Sequence, residues 1–105
     1  MCGITGFMSP EFIGQDRKIS NAANRMISQV RHRGPDGAGC WTDAEYGIGL
    51  GHARLSILDL SDAGQQPMVS SCGRLVLTFN GEIYNFLDLR RELEKRGRTF
   101  RGRSD

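Results

Sequence analysis

Four short stretches carry the residues able to do chemistry: MCGITGF, RHRGPDG, GHARLSILD and FNGEIYN. The first sets Cys2 directly behind the initiator methionine and ahead of Gly3, Ile4 and Phe7. Two readings of Cys2 stand open. It is a small hydrophobe on a buried strand, as free cysteine often is; or, with Met1 removed, it is a nucleophile that carries its own free amine. The other stretches have equally plain structural readings: a helix stop at Gly34 and Pro35, a strand with one odd arginine at Arg54, and a turn at Asn80 and Gly81 ahead of a helix. Cys2, Cys40 and Cys72 form an odd set at wide spacings without a CxxC pair, and His32 and His52 are the only histidines. Free thiols and no metal site are expected.

Periodicity indicates the elements that must hold these stretches. In DRKISNAANRMISQVRHR, the apolar residues Ile19, Ala22, Ala23, Met26, Ile27 and Val30 follow an amphipathic helical pattern. Asp16 is placed to cap that helix, and Arg31, His32 and Arg33 suit the negative end of its dipole before Gly34 and Pro35 stop it. The stretch GCWTDAEYGIGLGHARLSILDL predicts two strands around a turn near Asp43 to Glu45, with Ile48, Leu50, Leu55 and Ile57 as apolar positions. Gly47, Gly49 and Gly51 would let another backbone approach closely. After a loop at SDAGQQPM, RLVLTFN predicts a strand with Leu75, Leu77 and Phe79 on one face. NFLDLRRELEKRG predicts a second helix, capped by Asn85, with Leu89 and Leu93 turned inward and Gly97 at its end. This order implies an α+β layer arrangement with a mainly antiparallel sheet.

With 105 residues the chain holds one domain or part of one. Hydrophobic residues at 38% and charged residues at 25% exclude a disordered or membrane-embedded class. No basic run followed by an apolar stretch stands at the start, so a cytoplasmic protein without membrane contact is expected. The net charge of +2 conceals an asymmetry, because seven of the fourteen basic residues lie between Arg90 and Arg103. Asp88, Glu92 and Glu94 are interleaved with them as local partners, and no aromatic stacking surface accompanies them, which argues against nucleic-acid binding.

Taken together and in this order, the four stretches resemble the glutamine-hydrolysing domain of asparagine synthetases, a class II glutamine amidotransferase domain with the N-terminal-nucleophile hydrolase fold. RHRGPD and NGEIYN point to that branch of the amidotransferases. The resemblance implies a four-layer α/β/β/α fold with mainly antiparallel sheets, of which residues 1–105 would be roughly the first half, with the synthetase domain absent. It also implies that Cys2 is the nucleophile. A thiol with a pKa of about 8.5 needs a base, and the α-amino group left by removal of Met1 can serve, so neither histidine is required. His32 and His52 are therefore expected to be hydrogen-bonded scaffold residues, and RHRGPD a structural brace beside the site.

The resemblance further implies an oxyanion hole made by the Asn80 side-chain amide and the Gly81 backbone N–H, although a plain turn would use the same residues. Arg54 is assigned to the glutamine carboxylate, which a planar guanidinium matches bidentately, against the alternative of an edge-strand arginine facing solvent. Leu55, Ser56, Ile57 and Leu58 would line the site. Glu82 and Asp105 would hold the glutamine ammonium, although Arg103 stands where the family's GSD element has glycine and Asp105, as the last residue, is expected to be mobile. The implied reaction releases ammonia and glutamate from L-glutamine through a Cys2 thioester. No phosphate-binding loop occurs, so no cofactor is expected here, and ATP and magnesium would act only in the synthetase domain. Residues 1–105 by themselves are expected to be weakly active or inactive, and a fragment that folds without catalysing and a basic binding module are the rival readings. Open strand edges would also favour self-association or a homo-oligomer.

Overall fold

The computed structural model describes residues 1–57 and 61–105. Its main sheet is antiparallel in the order β1-β3-β2, with β1 at Gly3–Met8, β2 at Gly37–Asp43 and β3 at Ile48–Arg54. The turn between β2 and β3 falls where expected. The Asp43 carboxylate closes it by accepting the N–H groups of Glu45 (2.9 Å) and Tyr46 (3.3 Å). In register, Gly3 faces Ala53 and Ile4 faces His52 on one side of β3, and Gly39 faces His52 on the other. Arg54 therefore ends a central strand, which removes the edge-strand alternative.

Helix α1 (Asp16–Gln29) packs across this sheet through Ile19, Ala23 and Ile27, all buried. The stripe is narrower than the sequence pattern, because Met26 lies on the exposed side. The central strand β3 accommodates the helix by presenting only small residues beneath it. A Cβ at Gly49 would stand 3.2 Å from Ile19 Cγ2, one at Gly51 2.5 Å from Ile27 Cγ1, and one at Gly3 2.8 Å from Val30 Cβ. Gly49, Gly51 and Ala53 thus form the helix side of β3, while Leu50, His52 and Arg54 alternate to the other. Gly47 acts through its backbone conformation, since its φ of +66° reverses the chain against the Ser9 backbone.

The start of α1 departs from expectation. Gln15 occupies the capping position without a side-chain bond, and Asp16 is the first helical residue. Its carboxylate instead accepts the Thr42 hydroxyl at 2.6 Å, tying the helix to β2 while remaining favourable at the dipole's positive end. At the other end, one 3-10 turn at Arg31–Arg33 leads into buried Gly34. A methyl group on Gly34 would overlap the Ala53 carbonyl, so only glycine lets this corner lie on β3.

The strand expected at RLVLTFN is reduced to β5 (Val76–Leu77), paired antiparallel with β4 (Met68–Val69). Its continuation is diverted, since the Phe79 N–H donates to Gln66 Oε1 at 2.5 Å rather than to a strand. Leu75 and Leu77 are exposed instead of lining a buried face. Helix α2 (Phe86–Lys95) follows, with Asn85 at its capping position but making no side-chain bond there. Leu89 and Leu93, expected inward, remain 41% and 39% exposed because neither sheet packs squarely across them. Gly97, at φ 79°, ends the helix region as expected. The radius of gyration, 15.0 Å, exceeds the roughly 13 Å of a compact domain of this length, in keeping with these uncovered faces.

The Gly34 corner yields the first prediction. Gly34→Ala should cost about 1–3 kcal/mol through overpacking against β3, whereas Lys18→Ala on the exposed side of α1 should stay within about 0.5 kcal/mol. Denaturant unfolding of both variants is the check, and equal midpoints would show that the corner yields freely.

Candidate active site

Cys2 precedes β1 and is held by main-chain groups. The Leu55 N–H donates to Cys2 Sγ at 3.3 Å, and the thiol faces the Leu55 carbonyl oxygen at 3.6 Å. Arg33 Nε donates to the Cys2 carbonyl at 3.2 Å. The RHRGPD stretch reaches the neighbouring segment as well, since Asp36 N–H donates to the Arg54 carbonyl at 2.9 Å and Asp36 Oδ2 accepts the Ser56 N–H at 2.8 Å. RHRGPD is therefore a brace, as its sequence suggests, and Gly34 is the buried member of it.

These contacts open onto a cavity of about 390 Å³, within the usual range of small-molecule clefts. Cys2, Arg54, Leu55, Ser56, Ile57, Asn80, Gly81, Glu82 and Asp105 all line it. Leu58 falls outside the described residues. Arg54 is only 7% exposed, and its Nη1 donates to the Ser61 carbonyl at 2.8 Å. Gly64 lies against the guanidinium with no room for a side chain. Asn80 is half-buried and Gly81 exposed, with the Phe79 ring folded so close that a Cβ on Gly81 would stand 2.7 Å from Phe79 Cζ. Among the described residues no cluster of histidine, cysteine, aspartate and glutamate side chains could hold a metal ion.

Asp105 does not hang loose as expected, because its Oδ2 accepts the Ile83 N–H at 2.6 Å. Arg90 accounts for this. Its guanidinium lies 4.8 Å over the Phe100 ring, and Nη1 donates to the Gly102 carbonyl at 2.7 Å, folding the last residues back toward α2. From the sequence, Arg90 reads only as part of a solvated charged face. Three of the expected local pairs do form on α2, Arg90–Glu94, Arg91–Asp88 and Arg96–Glu92.

Two further residues line the cavity that the sequence did not assign to the site. Gln66 is brought in because Gly39 lets the Gln66 carbonyl press onto β2 where any side chain would overlap it. His52 is the second. It is 1% exposed and lines the cavity, yet among the described residues neither ring nitrogen has a hydrogen-bond partner, contrary to the expected bonded scaffold role. Burial pushes its pKa down, the nearby Phe79 backbone opposes this in part, and the Arg54 charge adds a smaller push in the same direction as burial. The imidazole is neutral at pH 7. The other thiols differ from each other: partial burial and then Asp16 raise the Cys40 pKa, whereas the Ser70 hydroxyl, 3.4 Å away, is the main cause lowering that of exposed Cys72.

Because the folded state resists protonating His52, the unfolded chain binds a proton that the folded one rejects as pH falls below the ordinary histidine value of about 6.5. The contribution is absent above that pH and destabilising below it. The melting temperature of the parent minus that of His52→Gln should therefore fall between pH 7.5 and pH 5. Parallel losses in both proteins would show that His52 titrates normally.

Comparison with known proteins agrees with this arrangement of stretches. A family model described as a glutamine amidotransferase domain matches residues 1–105. A glutamine-hydrolysing asparagine synthetase of Bacillus subtilis, numbered 1, is 38% identical over all of this chain and 16% of its own length. Its paralogue numbered 3 is 37% identical over all of this chain and 17% of its own. A Gibberella zeae protein named amidase chry2 is 37% identical over 82% of this chain and 14% of its length. The chain thus spans about one-sixth of the length of the curated relatives it matches. On the match over its whole span, and on relatives of this identity, the chain belongs to the glutamine amidotransferase domain family.

Proposed function

We propose that this chain carries the glutaminase site of a longer amidotransferase, with Cys2 as nucleophile and L-glutamine as substrate. The observation that carries the reading is convergence: Cys2, Arg54, Asn80, Gly81, Glu82 and Asp105, drawn from both ends of the chain, line one cavity. In this reading the two layers described, α1 over the β1-β3-β2 sheet, belong to a four-layer N-terminal-nucleophile fold, and further chain covers the exposed faces.

The reaction follows from the residues. With Met1 removed, the Cys2 amine takes the thiol proton and the thiolate adds to the carboxamide carbon of glutamine. The Leu55 N–H, already donating to Sγ, holds the sulfur in place for this attack. Asn80 and Gly81 donate to the oxyanion that forms. As the C–N bond breaks, the α-ammonium returns its proton to the leaving nitrogen and ammonia departs, leaving a glutamyl thioester. Water, deprotonated by the same amine, then cleaves the thioester to glutamate and restores the thiol. Arg54 pairs with the substrate carboxylate, and Glu82 with Asp105 holds its ammonium. The names of the Bacillus relatives support use of the ammonia to amidate aspartate or a similar carboxylate, with ATP and magnesium acting outside residues 1–105.

A glutamine-mimicking diazoketone should label Cys2 alone among the three thiols, and glutamine should protect it. Cys72, exposed and with a lowered pKa, should react instead with a general alkylating agent that glutamine does not block. Protein that retains Met1 has a peptide nitrogen at Cys2 and no base, so it should be neither labelled nor active. Peptide mapping by mass spectrometry gives the answer, and glutamine-protected labelling at Cys40 or Cys72 would defeat the assignment.

Arg54→Lys replaces a bidentate donor with a point charge. The KM for glutamine should rise at least about tenfold, which corresponds to about 1.4 kcal/mol. Steady-state kinetics are the measurement, and an unchanged KM would remove Arg54 from the carboxylate.

A further inference from the structure

We propose that His52 is a positioning residue for the oxyanion-binding segment, its buried imidazole holding the Phe79–Gly81 backbone against strand β3. The inference rests on the functional reading above and extends it to a residue with no role in the chemistry itself.

The segment needs such support. Beyond β5 it has left its ladder, and among the described residues two side-chain bonds attach it to the rest of the chain: Phe79 N–H to Gln66 Oε1 at 2.5 Å, and Thr78 Oγ1 to the Gly51 carbonyl at 3.5 Å. The second is long, and Gly51 is the neighbour of His52 on β3. An oxyanion donor has to be placed before charge develops, and a displacement of ~1 Å can cost ~100-fold in rate.

His52 is placed to supply the missing attachment. It alternates to the cavity side of β3 with Arg54, opposite Ile4 of β1, and shares the cavity wall with Phe79 and Asn80. Buried polar atoms in folded proteins nearly always find partners, yet both His52 nitrogens lack one. A neutral imidazole offers one N–H donor. On Phe79 the N–H is already given to Gln66, so the group left to meet the imidazole N–H is the carbonyl, one residue before Asn80. Hydrogen bonds of this kind are often long in an unliganded site and tighten when ligand fills it. Closing the gap would draw Asn80 and Gly81 into place as the carboxamide binds.

The test compares His52→Phe, which fills the space without a donor, with His52→Gln, which keeps one, in the full-length protein with Met1 removed. His52→Phe should lower kcat for glutamine hydrolysis about 10- to 100-fold with KM within about threefold, and should slow diazoketone labelling of Cys2 in parallel. His52→Gln should recover kcat to within about fivefold of the parent. If His52→Phe fails to fold, the glutamine variant decides alone: near-parent turnover supports the bond and a loss beyond about fivefold overturns it. A His52→Phe protein with kcat within about threefold of the parent would overturn the inference, as would a raised KM at constant kcat, which would mean direct contact with glutamine. A parent protein that neither turns over glutamine nor is labelled at Cys2 would overturn the functional reading itself, a result distinguishable from all of these.

Discussion

Strand β3 is approached at backbone distance from more than one direction, and the thiol end of the site is placed by that closeness. From the helix side, Gly49 and Gly51 admit Ile19 and Ile27 of α1. From the end, Gly34 settles on the Ala53 carbonyl and carries Asp36 to the Arg54 and Ser56 backbone. On the neighbouring strand, Gly39 lets Gln66 down onto the sheet, and Gln66 then takes the Phe79 N–H. Removing side chains at these positions forfeits apolar burial, and few fully buried hydrophobic residues remain among those described. What the chain gains is short-range geometry: Cys2 and Arg54 are held at or beside one strand by contacts that leave little slack.

The parts readable from sequence are those with a strong local signal. Helix α1 has three apolar residues at intervals of four, the β2–β3 turn has an aspartate able to bond its own backbone, and RHRGPD has a helix stop at its centre. The parts that are not readable depend on partners distant in the chain. Asp16 looks like a cap until Thr42 is folded next to it. RLVLTFN alternates well enough for a long strand, but β4 offers only two residues to pair with, and Gln66 competes for Phe79. Leu89 and Leu93 define an apolar helix face, yet periodicity does not say whether anything covers it. The candidate site residues are legible through resemblance, while Gln66 and the bare nitrogens of His52 have no signal in residue type or spacing.

Charge on this molecule serves shape more than field. The arginines of α2 are engaged at close range by carboxylates on the same helix, and such exposed pairs contribute ~0.3–0.5 kcal/mol each. Arg90 is the exception in effect, because its stacking on Phe100 and its bond to Gly102 determine where Asp105 ends up. Arg101 adds a bond to the Val69 carbonyl, joining the same terminal stretch to β4. The acidic end of the cavity is thereby assembled from pieces of helix, ladder and chain end.

The segment after β3 is moored through its main-chain N–H groups: Leu55 offers its N–H to the Cys2 sulfur, and Ser56 offers its own to the Asp36 carboxylate. Leu55 and Ser56 line the cavity, and it is their N–H groups, not their side chains, that make these bonds. The wall of the cleft and the mooring of its thiol are thus separable under mutation. A lineage built on this scaffold could exchange residues 55 to 57 one by one, altering what the cleft admits, while the sulfur stays moored to the same peptide group throughout.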